Sequence, residues 1–360
     1  MEKSAPKIIL PFLIILLSGC AAENANPIGA SLHRYIDAHR RNWNDKEAYR
    51  PLTTTIWYPA RLGSVEKRHN AAIFDTGAHS KDAEIRKSDT AYPLIILSHG
   101  TGGSSASIAW FAEILARNGY VVASVNHHGN TGAEPSYLIN GFVLWWERAR
   151  DITEVIDRIL DDPRWGKVVD RDRIAVAGFS LGAYAALATI GATLETDKWI
   201  ELKKNEPDNP IAKLPPEAKF TMDGVEEFVT TDPVAMESIR HANDSFLDPR
   251  IKAACVMAPV LVPLMNADSL RAIQVPVKII TGDMDDQSVL EENGIPLSKA
   301  IPGASVAILK NASHYAFLSE GNVLGKLFAR KYTTDKFGIK RDKIHAEAGK
   351  LAVDFFDMNL

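Results

Sequence analysis

The sequence predicts an α/β protein in which a mostly parallel sheet is flanked by helices and one cap-like insertion interrupts the alternation. Three observations predict it. From residue 50 onward short apolar runs alternate with longer amphipathic segments, the succession strand, helix, strand, helix that a parallel sheet requires. One of these junctions, Gly178-Phe-Ser180-Leu-Gly182, places a serine between two glycines where a strand run meets a small-residue helix. The chain has 360 residues, 46% of them hydrophobic and 24% charged, ample apolar material for one large core. With 41 Lys and Arg against 45 Asp and Glu there is no basic excess to neutralise phosphates, so nucleic acid is not an expected partner.

The first residues differ from the rest. Lys3 and Lys7 precede an apolar run, residues 8–17, about half the roughly 20 residues needed to span a bilayer. The run ends in Leu17-Ser-Gly-Cys20, which resembles the bacterial lipobox. That resemblance implies a signal peptide over residues 1–19, cleavage before Cys20, and a diacylglycerol on the Cys20 thiol as membrane anchor. Ala21 in place of Asp implies the outer membrane, facing the periplasm. The plainer alternative is an ordinary secretory peptide with a chance cysteine. Residues 20–45 are polar and read as a tether, with the folded domain over residues 46–360.

Within that domain the strand candidates are 53–58, 94–98, 120–126, 173–178, 251–257, 277–281 and 305–309. Helix candidates are 107–118, 142–160, 181–190, 288–300 and 343–356. Residues 193–248 break the rhythm with a charged, proline-rich stretch carrying Trp199 and Phe220. A structureless loop of that length would be anomalous in a compact domain, so it reads as a cap over the sheet, the alternative being a surface insertion that touches no site. Cys255 lies in an apolar strand-like run and reads as a core residue; with Cys20 acylated it has no disulfide partner.

A serine hydroxyl is a poor nucleophile without a base, and the tetrahedral product of its attack needs donors for the oxyanion. The glycines two before and two after Ser180 leave room for strand and helix to close around a strained turn. The run over residues 94–98 enters His99-Gly-Thr-Gly-Gly103, where backbone N–H groups can turn inward, so the oxyanion donors are the N–H groups of Thr101 and Leu181. Downstream, a strand run ends in Thr281-Gly-Asp-Met-Asp-Asp286 and the next in Asn311-Ala-Ser-His314. The chain order Ser, Asp, His is that of the α/β-hydrolases, with His314 as general base. In a G-x-x-D turn the fourth residue faces the histidine, which selects Asp285 over Asp283 and Asp286. His127 and His128 lack the spacing of a metal pair, so no metal is expected.

A family resemblance runs across most of the chain. Ile56-Trp-Tyr-Pro59, Ser98-His-Gly-Thr-Gly-Gly103, Asn126-His-His-Gly-Asn130, Trp146-Glu-Arg-Ala-Arg-Asp151, the serine pentapeptide, Asp248-Pro-Arg-Ile-Lys252 and His314-Tyr-Ala-Phe317 look like the predicted dienelactone hydrolases related to platelet-activating-factor acetylhydrolase. The resemblance implies a cofactor-free esterase; the charged, proline-rich make-up of residues 193–248, without the broad apolar face of a lipase lid, adds the expectation of short or medium acyl or lipid-derived esters. Two departures matter. True dienelactone hydrolases use a cysteine where this chain has Ser180. The acetylhydrolase takes its acid after an earlier strand, but the matching stretch here, residues 258–263, holds no acid, which again favours Asp285. The rival expectations are a serine peptidase and a non-catalytic envelope lipoprotein with a hydrolase fold.

Overall fold

The computed structural model describes residues 26–207, 209–335 and 338–360, so the expected signal peptide over residues 1–19 and the expected lipidation site Cys20 lie outside the described residues. Among the described residues no helix is long and apolar enough to cross a membrane.

In chain order the strands are β1 (Ile28–Arg41), β2 (Tyr49–Pro59), β3 (Lys67–Ala71), β4 (Phe74–Lys81), β5 (Tyr92–Ser98), β6 (Val121–Val125), β7 (Val169–Phe179), β8 (Ile251–Met257), β9 (Val277–Gly282) and β10 (Ser305–Leu309). They lie side by side as β10-β9-β8-β7-β5-β6-β2-β1-β4-β3. Every neighbouring pair from β6 to β10 is parallel, whereas β2 meets both β6 and β1 antiparallel. Along β5 the pleat sends Leu94 and Ile96 into one core layer and Ile95 and Leu97 into the other. Burial on both faces is why this strand reads as an unbroken apolar run.

The helices are α1 (Ala109–Arg117), α2 (Ile139–Val143), α3 (Glu147–Asp161), α4 (Leu181–Thr189), α5 (Thr196–Asn205), α6 (Met222–Thr231), α7 (Pro233–Ile239), α8 (Ala267–Ala272), α9 (Gly294–Ala300), α10 (Val323–Phe328), α11 (Arg330–Thr333) and α12 (Arg341–Asn359). Ile152, Val155 and Ile156 of α3 and Tyr184 of α4 fill the core on one face of the sheet. Trp110 and Phe111 of α1 and Ile344 and Phe356 of α12 fill the other. All seven predicted strands are present. The helix expected over 142–160 is split into α2 and α3, and that over 288–300 shrinks to α9.

One expectation is overturned. The supposed tether over residues 20–45 contains β1, fourteen residues paired with β2 from Ile28 opposite Pro59 to Arg41 opposite Tyr49. Its polarity misled because the buried polar groups are ion-paired: Arg40 bonds Glu147 and Asp151 of α3, and its own Asp37. The folded domain therefore begins before residue 46.

Residues 193–248 carry α5, α6 and α7 and pack onto the start of α3. Trp146 Nε1 donates to Ser238 Oγ at 2.8 Å, and Trp145 meets Trp199 edge-on at 6.4 Å. Cys255 is buried within β8, and burial pushes its thiol up to about 12.

Candidate active site

The serine elbow is built by sterics. Ser180 has φ 55° and ψ −121°, a conformation disfavoured for any residue with a Cβ. A Cβ on Gly178 would lie 2.0 Å from the Gly182 carbonyl oxygen, and one on Gly182 would lie 2.0 Å from that of Ser98. The two glycines therefore let β7, β5 and α4 converge, and the convergence thrusts Ser180 out at the C-terminal edge of the sheet.

The structure brings Ser180, His314 and Asp285 together. Ser180 Oγ lies 3.0 Å from His314 Nε2, and His314 Nδ1 lies 2.8 Å from Asp285 Oδ2. Asp285 follows β9 and His314 follows β10, so the two arrive at the sheet edge from adjacent parallel strands. Asp285 also accepts from the N–H groups of Gln287 and Ser288 at 2.9 and 2.7 Å. Burial by itself would raise its carboxyl, but His314 and these donors outweigh it and hold the acid below the usual carboxylate range. Asp283 and Asp286 are exposed. The ring of Phe179 lies against His314 at 4.9 Å and limits its rotation.

Beside the serine, Gly100 approaches so closely that a Cβ on it would meet Ser180 Cβ at 3.2 Å. The Gly100 carbonyl accepts from His99 Nδ1 at 2.7 Å and from the Gly103 N–H at 3.2 Å. In a planar trans peptide the next N–H points the opposite way. That N–H belongs to Thr101 and has no partner among the described residues; nor has the N–H of Leu181, at the first position of α4. Both expected donors thus stand free next to Ser180. His127 and His128 separate: His127 bonds Ser98 and Asp151, whereas His128 bonds Glu134 and stacks on Trp43. No group of three metal-ligating side chains occurs among the described residues.

Three neighbours of the site were not foreseen. Glu217 of the insertion lies over the glycine-rich loop, its Cγ 3.2 Å from where a Cβ on Gly102 would stand, and it accepts from Tyr315 Oη at 2.9 Å. Tyr137 Oη donates to the Gly102 carbonyl at 2.8 Å. Arg148, wholly buried, donates to the His99 carbonyl at 2.6 Å. None has a local sequence signal, since each acts through contacts distant in the chain. A cavity of about 870 Å³ lies between the end of β1, the start of α3 and α7, but Ser180, Asp285 and His314 do not line it. Chemistry, rather than size, locates the site.

A mostly parallel sheet, a strained serine between strand and helix, and an acid and a histidine after the two last strands together define an α/β-hydrolase. Residues 95–324 match the Alpha/beta hydrolase family, and the chain belongs to it. Over 109 residues, 30% of this chain and 15% of the relative, it is 32% identical to the dipeptidyl aminopeptidase BIII of Pseudoxanthomonas mexicana. Over 141 residues, 38% of this chain, it is 26% identical to cutinase est1 of Thermobifida alba, covering 44% of that protein. The same length is 25% identical to cutinase 2 of Thermobifida cellulosilytica, covering 50% of it. The matches thus span half or less of each of these relatives. A ferulic acid esterase from Streptomyces cinnamoneus shares the fold with a TM-score of 0.59 at 20% identity, over 95% of this chain and 92% of that one.

Proposed function

We propose that the protein hydrolyses carboxylic esters through an acyl-enzyme on Ser180. The observation that carries this reading is the unbroken relay from Ser180 Oγ through His314 to Asp285, beside two unpartnered N–H groups. Ser180 Oγ attacks the ester carbonyl while its proton passes to His314 Nε2. The Thr101 and Leu181 N–H groups receive the oxyanion, and Asp285 holds the imidazolium that forms. Collapse expels the alcohol, which takes the proton from His314. Water, deprotonated by the same histidine, then releases the acid and restores Ser180.

The likeness to cutinases supports an ester as substrate, and the charged, proline-rich make-up of residues 193–248, without the broad apolar face of a lipase lid, supports a short or medium acyl chain. Glu217 supports a role for residues 193–248 as a wall of the acyl or alcohol pocket. A fluorophosphonate probe should label Ser180 and no other residue. p-Nitrophenyl esters of graded length should show the highest kcat/KM at short or medium chains. Failure of both labelling and ester turnover would overturn the reading. The match to a dipeptidyl aminopeptidase favours a second reading, peptide hydrolysis at the same serine, and turnover of an aminoacyl-prolyl anilide in preference to p-nitrophenyl butyrate would establish it. The leader and Cys20 support a lipid anchor in the cell envelope. Wild-type protein should sediment with membranes and the Cys20→Ala protein should not; wild-type protein found soluble would refute the anchor.

A further inference from the structure

Arg148 sits in the motif Trp146-Glu-Arg-Ala-Arg-Asp151, to which the relay at Ser180 assigns no role. Its side chain is buried, yet among the described residues no hydrogen bond joins it to a carboxylate. The neighbouring Asp151 is taken up elsewhere, by Arg50 through two hydrogen bonds, by Arg40 and by His127. The Arg148 guanidinium instead donates to two consecutive carbonyls, that of His99 at 2.6 Å and that of Gly100 at 3.5 Å, while its Nε has no partner. Burial draws this guanidinium down to about 9, the Arg50 charge pushing the same way and the Asp151 charge opposing both. A buried cation held in place by carbonyl oxygens is costly, and stability alone does not account for it.

The two carbonyls belong to the peptide units that precede Gly100 and Thr101. Fixing the Gly100 oxygen on the Arg148 side fixes the Thr101 N–H on the other, because the unit is planar. His99 supports the same orientation. Its Nε2 accepts from the His127 N–H at 3.2 Å, so its Nδ1 carries the proton donated to the Gly100 oxygen. Burial holds the His99 ring neutral, well below the ordinary histidine range, which keeps that tautomer available. Asn130 Oδ1 accepts from the Gly102 N–H and ties down the far end of the loop.

We propose that Arg148 is a positioning residue for the oxyanion hole: by holding the His99 and Gly100 carbonyls it aims the Thr101 N–H at the oxygen that becomes negative during attack by Ser180. The inference rests on Ser180 being the nucleophile. An N–H that is present but misdirected loses most of its effect on the transition state while substrate binding is little changed.

The test uses Arg148→Met and Arg148→Lys, with Arg150→Met as control and Ser180→Ala alongside. Arg150 is exposed, lies two residues along α3 and, among the described residues, hydrogen-bonds to Glu147 alone. kcat and KM for p-nitrophenyl butyrate are measured together with Ki for n-butylboronic acid, which forms a tetrahedral adduct on a serine. Arg148→Met should lower kcat about 10- to 100-fold, with KM changed less than about threefold and boronate affinity weakened by a factor similar to that in kcat. Arg148→Lys, which keeps charge and bulk but cannot span two carbonyls, should fall between Met and wild type. It keeps the question open to measurement if the Met variant does not fold. A folded Arg148 variant with wild-type kcat overturns the proposal. So does one whose kcat falls while boronate affinity stays unchanged, since that is the signature of fewer active molecules. Full turnover by Ser180→Ala would instead overturn the nucleophile, and this inference with it.

Discussion

Two Ser–His–Asp relays of nearly equal hydrogen-bond geometry occur among the described residues, and one of them lies at the elbow. Ser180 Oγ is 3.0 Å from His314 Nε2, with Asp285 2.8 Å beyond; Ser98 Oγ is 2.8 Å from His127 Nε2, with Asp151 3.0 Å beyond. Ser98 ends β5, flanked by Val125 of β6 and Gly178 of β7, and none of its surface is exposed, whereas Ser180 keeps 8%. Asp151 shares its charge with two arginines, and burial together with the Arg148 charge draws His127 down to about 4 despite the carboxylate beside it. On the proposed reading, a relay of three side chains makes no nucleophile by itself. It needs a strained, reachable oxygen, N–H donors left free for the product, and an acid whose charge is reserved for the histidine.

The sharpest way to break this comparison is to remove each serine in turn. Ser180→Ala should lose at least four orders of magnitude in kcat for p-nitrophenyl butyrate, on the order of what removing such a nucleophile costs elsewhere. Ser98→Ala should keep kcat within about threefold and instead lose about 1–3 kcal/mol of stability in urea unfolding, because His127 Nε2 is left buried and unpartnered. Comparable losses of turnover in both variants would dissolve the distinction.

The acids come next. Asp285→Asn should lower kcat by about 10⁴ by disturbing the His314 tautomer, while Asp286→Asn, on an exposed side chain one residue on, should stay near wild type. A larger loss in Asp286→Asn would move the acid to that position.

The relays also separate by pH. His127 titrates near 4 in the folded protein against 6.5 for an unperturbed histidine. Between those values the unfolded chain binds a proton that the folded one does not, so stability falls as pH drops through this window, by at most about 3 kcal/mol. Asp285, held below its ordinary value, loses stability with the same sign only at pH below the usual carboxylate range. Melting temperature followed from pH 7 to pH 4 should fall less steeply in His127→Asn than in wild type. Parallel curves would show that His127 is not the group responsible.

The smallest effect concerns access. Glu217→Gln removes a charge near the loop that carries Thr101 and should shift KM for p-nitrophenyl esters about two- to fivefold, with kcat changed less. An unchanged profile across chain lengths would place the insertion outside substrate contact.

Much of this was legible in the sequence, for a local reason. An elbow needs glycines at fixed offsets, and an acid or histidine that ends a strand keeps its place in the order of the chain, so Ser180, His314 and Asp285 could be read along one dimension. Thr101 could be read because glycines surround it. Arg148, Tyr137 and Glu217 could not, since each matters only for the backbone it touches some 35 to 115 residues away. The strand β1 was misread for a related reason: its Arg40 looks solvated until its partners, 107 and 111 residues downstream, are brought to it.

That distant pairing bears on how the protein comes into being. The first of the described strands to be synthesised holds one of the two guanidinium groups that bond Asp151, and Asp151 belongs to the same helix as Arg148. A nascent chain must therefore hold Arg40 against Asp37 alone until α3 has emerged, and a chain clipped before residue 42 retains Ser180, His314 and Asp285 while the ion cluster behind the glycine-rich loop lacks both Arg40 and Asp37. Because Asp285 and His314 follow the last two strands, the three side chains can meet only after that edge of the sheet has formed, so the site is assembled late along the chain.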